Sequence, residues 1–115
     1  MQLTSGYYIS IGDPSLHPYQ SPALACGYGD LYVCDINVVG SQAELAVIDQ
    51  KAGFPQCLAD TAYTSGQNFG PLTGHTLCVT TTDRIAVCYV TGDTTQDTSA
   101  PVNGLTMDVT VYSKH

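Results

Sequence analysis

The stretch NGLTMDVTVY, residues 103–112, leaves the fold little freedom. Leu105, Met107, Val109 and Val111 alternate without a break with Thr106, Asp108, Thr110 and Tyr112. A period of two sustained this long belongs to a strand with one buried and one wet face. Upstream, IAVCYV (85–90) is apolar on both faces and rich in β-formers, as a central strand is. HTLCVTT (75–81) precedes it across Thr82 and Asp83, which predicts a hairpin. The turn lacks Asn-Gly or Asp-Gly, so turn type and register stay open.

Other segments read the same way. DLYVCDINVV (30–39) places Tyr32, Cys34, Ile36 and Val38 on one face, with Asp35 and Asn37 on the other. YYISIG (7–12) is a short strand. SQAELAVIDQKAG (41–53) offers a helix-like capping box, Ser41 with Glu44, and a Gly53 stop, but its run ELAVID also suits a strand. The strand is preferred because the run is short and its neighbours are strands. FPQCLADT (54–61) adds one helical turn around Cys57. Two loops separate these elements: the proline-bearing GDPSLHPYQSPALACGYGD (12–30) and the polar TGDTTQDTSAPVNG (91–104). The expectation is one all-β domain over residues 1–115, an antiparallel sandwich or small barrel of six to seven short strands stapled by disulfides.

Charge restricts the partners. Only 11% of residues are charged, and ten acids against Lys51, Arg84 and Lys114 give a net charge of -7. Such a surface repels phosphate backbones and anionic bilayers, which argues against nucleic-acid binding and membrane association. No apolar run approaches the roughly 20 residues of a membrane-spanning helix, so no membrane insertion by this segment is expected. The five cysteines and the scarcity of lysine point to a secreted or extracytoplasmic address. QLTSGYY after Met1 has no leader character, so an ectodomain excised from a longer protein is expected. The competing reading is a cytosolic protein with five free thiols.

Five cysteines allow two bonds with one left over. No C-x-x-C occurs, and the intervals Cys26–Cys34 and Cys78–Cys88 do not suit zinc. His75 lies three residues before Cys78, and an odd interval in a strand sends side chains to opposite faces, against a Cys–His dyad. A Cys57–Cys78 bond would close a medium loop, worth about 3 kcal/mol on the chain-entropy model. Cys26–Cys34 would tie the proline-bearing loop to the next strand, leaving Cys88 as a buried free thiol. A Cys78–Cys88 cross-strand bond is the rival arrangement.

Few residues invite chemistry. Asp93 and Asp97 are candidate Ca²⁺ ligands without EF-hand spacing, and a solvated acidic loop is the expected state. No metal or other cofactor is expected. Nucleophile motifs and phosphate loops are absent, and His17 and His75 are scattered, so no catalytic residue is assigned. Tyrosine is more suggestive: Tyr19, Tyr28 and Tyr32, with His17, cluster in and after the proline-bearing loop. Exposed tyrosines suit sugar or peptide binding, offering a flat apolar face and a hydroxyl; the plainer reading is that they cover a small core.

From Cys57 through LCVTTTDRIAVCYVT to LTMDVTVY, the chain resembles a family of actinobacterial secreted or membrane-tethered β-domains. These occur alone or at the outer ends of some receptor-type serine/threonine kinases. Cys78, Val79, Thr81, Arg84, Ile85, Ala86, Val109, Thr110 and Val111 carry the resemblance. Thr80, Asp83 and Tyr112 depart from it, standing where the family has Arg, Gly and Trp. Over residues 57–112 the resemblance implies an all-β fold, a Cys57–Cys78 bridge and an extracytoplasmic address, and it carries no catalytic residue. The leading expectation is a non-catalytic binding or sensor module for an extracellular small molecule, glycan or peptide. The alternatives are an assembly domain pairing through an edge strand or the odd cysteine, and a small secreted hydrolase.

Overall fold

Alternating apolar and polar residues build nearly all of the regular structure. A computed structural model describes residues 1–13, 15–20, 29–33, 38–59, 63–69, 72–95 and 103–113, with the backbone alone for 38–42 and 64–69. Nine strands and one short helix appear among them. The strands are β1 (Gln2–Thr4), β2 (Tyr7–Ile9), β3 (Tyr19–Gln20), β4 (Leu31–Val33), β5 (Val38–Ile48), β6 (Thr64–Phe69), β7 (Thr76–Thr80), β8 (Arg84–Asp93) and β9 (Gly104–Ser113). The helix, α1 (Phe54–Ala59), lies between β5 and β6. The fold is all-β, antiparallel and stapled by Cys57–Cys78, as expected; β1, β3 and β6 raise the strand count.

Two ladders, β5–β7–β8–β9–β1 and β4–β2–β3, are joined by the long β5. Gly40 pairs with Tyr32 of β4 and Leu45 with Val79 of β7, while β6 runs along the other edge of β5. One strand therefore belongs to both sheets, with its register shift against β6 between Ser41 and Leu45. The segment 41–48 is strand, the preferred reading of an ambiguous stretch, because Leu45 faces the main core while Ala46 faces a second cluster.

The turn between β1 and β2 stitches the ladders together. Ser5 N–H donates to the Asn103 carbonyl at 2.9 Å, and Gly6 N–H donates to the Val33 carbonyl at 2.8 Å. At the neighbouring β1–β9 pairing a side chain on Gly104 would come within 2.5 Å of the Leu3 carbonyl oxygen, so only glycine lets the backbones approach. Between the ladders lies one core built from Leu3, Ile9, Leu31, Val33, Leu77, Val79, Leu105 and Met107, among others.

The opposite face of the larger ladder carries the second cluster: Ala46, Cys57, Cys78, Ile85 and Val87. This explains why IAVCYV is apolar throughout. Ala86, Cys88 and Val90 meet the main core, while Ile85 and Val87 lie under α1. Gly53 caps the start of α1, its N–H donating to Gln56 Oε1 at 3.0 Å. The buried Thr76 hydroxyl holds the approach to the helix, donating to the Gln50 carbonyl at 2.8 Å and accepting from Ala52 N–H at 2.9 Å.

Strand β4 is buried on both faces. Leu31 and Val33 point into the main core, so Tyr32 lies on the other face of β4, and all three are buried. The rest of that sequence run, Cys34 to Asn37, lies outside the described residues.

Candidate functional site

The cysteines resolve into structure. Cys57 of α1 and Cys78 of β7 are disulfide-bonded, 21 positions apart and fully buried. The rival Cys78–Cys88 bond is ruled out by register: Cys78 pairs with Val87 and Cys88 with Leu77, so the two thiols point to opposite faces. The Thr81 N–H bonded to the Arg84 carbonyl at 3.0 Å sets that register. Cys88 is a free thiol in the main core, and burial pushes its pKa up to about 12, which leaves it neutral and unreactive. Cys26 and Cys34 lie outside the described residues.

The other candidates separate as clearly. Asp93 is tied up internally: Oδ2 accepts from Leu72 N–H at 2.7 Å, and Oδ1 accepts from the Thr95 N–H at 2.8 Å and its hydroxyl at 2.5 Å. This carboxylate secures the end of β8; Asp97 lies outside the described residues. Among the described residues no three His, Cys, Asp or Glu side chains gather to hold a metal ion. His75 Nδ1 lies 3.3 Å from the Thr73 carbonyl, and Cys78 is committed to its disulfide.

One cluster remains. Within the proline-bearing loop, Tyr19 and Gln20 form a short strand against β2, so Tyr19 stands beside Tyr8 and Tyr8 beside Tyr32. The three tyrosines make a cross-strand row that runs from buried to exposed. Tyr32 is 5% exposed and takes no part in an open surface, Tyr8 is half-buried, and Tyr19 is 37% exposed. The Tyr8 and Tyr19 rings stack with centroids 5.8 Å apart, and the exposed His17 ring lies 4.3 Å from that of Tyr19 at a tilt of 39°. Gly29, at φ +78°, makes room for this row, since a Cβ there would fall 2.3 Å from the Tyr8 ring. Tyr28 lies outside the described residues.

Asp13 anchors the row. Its Oδ1 accepts from Ser15 N–H at 2.9 Å and from the Ser15 hydroxyl at 2.8 Å, and its Oδ2 accepts from the Tyr19 hydroxyl. These donors, Tyr19 foremost, hold the Asp13 pKa down at about 2, and the same bond pushes the Tyr19 phenol up. The loop is fastened from below. Ile11 is buried and donates its N–H to Asp30 Oδ2 at 2.8 Å, and Leu16 takes φ 43° while its side chain packs against the core. A leucine in the left-handed region costs on the order of 1–2 kcal/mol, so the loop conformation is imposed by its surroundings.

No protein-family model, curated protein or solved structure matches the chain.

The grouping of Ser15, His17 and Asp13 in one loop resembles hydrolase parts without hydrolase wiring. The Ser15 hydroxyl donates to Asp13 directly, and His17 Nδ1 lies 3.1 Å from the Pro18 carbonyl. A nucleophile needs its base beside the hydroxyl and the acid behind the base. Sequence reasoning found Tyr19 and His17 but missed Asp13, Ser15 and Tyr8. The Asp-Pro-Ser turn signature could have flagged Asp13, since Asp readily caps a backbone N–H two residues on. Tyr8 had no local signal, because it joins the site only through the β2–β3 pairing.

Proposed function

We propose that this chain is a non-catalytic extracytoplasmic binding module that recognises an extracellular ligand, a glycan or a peptide, on the loop after β2. The supporting observation is the open aromatic row of Tyr8, Tyr19 and His17, locked in place by Asp13. Ordered rings on a fastened loop lose little conformational freedom on binding, which favours recognition over structural duty. The buried Cys57–Cys78 bond is compatible with an oxidising compartment, and no helix among the described residues is long and apolar enough to cross a membrane. Kinship with the actinobacterial family of secreted β-domains is part of this proposal.

Screening the folded domain against immobilised extracellular glycans and peptides, beside Tyr19→Ala, tests the reading. Retention of a ligand by the wild type and its loss by the variant, with circular dichroism unchanged, is the expected result. Equal retention by both would move the site elsewhere.

A further inference from the structure

Resting on that reading, we infer that the ligand is an uncharged saccharide, one pyranose ring lying on the Tyr19–His17 platform with one of its hydroxyls donating to Asp13. Three features of the molecule select this class.

The polar groups at the row are acceptors. The Asp13 carboxylate takes three donors from Ser15 and Tyr19, one short of the roughly four that two carboxylate oxygens can receive. The Tyr19 hydroxyl spends its proton on Asp13, and its oxygen, with Ser15 beside it as a donor, is left only to accept. Sugar hydroxyls donate into such a site, while the apolar face of a pyranose ring covers an aromatic one.

Charge disfavours the acidic sugars. Residues 1–50 contain no Lys or Arg, and in that stretch Asp13, Asp30, Asp35, Glu44 and Asp49 carry only negative charge. A uronate, sulfate or phosphate brought to the loop meets a carboxylate that stays ionised down to about pH 2, with no Lys or Arg of residues 1–50 to offset it and only the His17 imidazole, when protonated, as an opposite charge beside it. A cationic ligand is drawn by the same field, and a lysine-bearing peptide tests for it.

Edge geometry disfavours a peptide. An extended segment added beside β3 finds, among the described residues, a strand of two residues, Tyr19–Gln20, short for the main-chain ladder that strand addition relies on.

Titration calorimetry with chitohexaose, cellohexaose and maltohexaose, against oligogalacturonate and a lysine-bearing hexapeptide, decides the matter. The expected result is heat from at least one uncharged hexasaccharide, little altered by added salt. Tyr19→Ala should abolish it, and Asp13→Asn should weaken it about tenfold, the effect of one hydrogen bond to a charged acceptor. Binding confined to oligogalacturonate or the peptide, and lost in Tyr19→Ala, overturns the saccharide assignment while the binding site stands. Uncharged sugars bound equally by wild type, Tyr19→Ala and Asp13→Asn overturn the placement. Heat from none of the five probes overturns this inference, and if the glycan and peptide screen also retains nothing, the binding reading falls with it.

Discussion

The patch beneath α1 and the loop after β2 both gather residues that carry chemistry elsewhere, yet they use them in opposite ways. Under α1 the reactive groups are closed off. Cys57 and Cys78 are bonded to each other with no exposure, and the Thr76 hydroxyl both donates and accepts within the chain. In the loop, Asp13 is likewise satisfied from within, but its partners leave rings facing solvent. Internal satisfaction of polar groups thus serves stability in one region and positioning in the other. Exposure tells them apart, since hydrogen bonding is nearly complete in both.

Removing the staple should give the largest effect. The double change Cys57→Ala, Cys78→Ala opens a loop of 21 residues, and urea unfolding should show a loss of about 3 kcal/mol. A midpoint unchanged from wild type would mean that α1 is held by packing alone. Next comes Gly29→Ala, which needs an alanine at φ +78° and a Cβ only 2.3 Å from the Tyr8 ring. A loss of about 1–3 kcal/mol is expected, with a shift of the Tyr8 and Tyr19 ring resonances. Ring shifts without that loss would show the row to be looser than the stapled patch.

Alkaline titration probes the core between the two regions. The folded Cys88 pKa of about 12 lies above the ordinary value of 9.0, so the folded state holds its proton where the unfolded state gives it up. This contribution to stability is complete below about pH 9 and falls as pH rises toward 12. A thiol reagent at pH 8 should label Cys88 only after unfolding; rapid labelling of that thiol in the folded protein would contradict its burial. The smallest effect belongs to Asp13. Its depressed pKa stabilises the loop above the ordinary carboxylate value of 3.8 and ceases to do so as pH falls through about 2. Tyr19→Phe should raise that pKa, read by carboxyl-carbon NMR, while global stability barely moves. An unmoved pKa would break the link between acid and ring.

The strands were legible where alternation was strict. Leu105, Met107, Val109 and Val111 all pack against the core, and the two-faced IAVCYV run has a core on each side. The β7–β8 register was hidden because Thr82 and Asp83 suit several turns, and with it was hidden the choice between Cys57 and Cys88 as partner for Cys78. The site was half legible. Tyr19 and His17 stand out by composition and by their place beside prolines. Tyr32 was drawn in by sequence proximity, but the burial of its side of β4 is a tertiary fact that no local pattern records. Asp13 enters through a local turn whose Asp-Pro-Ser signature was open to reading, whereas Tyr8 enters through a cross-strand pairing made only after the chain has folded.

The division of labour between the two regions is tested most directly by setting the melting temperature beside ligand retention for the double variant His17→Ala, Tyr19→Ala. The account predicts a melting temperature within a few degrees of wild type, as for surface substitutions, together with loss of the retained ligand. A melting temperature lowered as far as in the Cys57→Ala, Cys78→Ala protein, or a ligand still held, would contradict it.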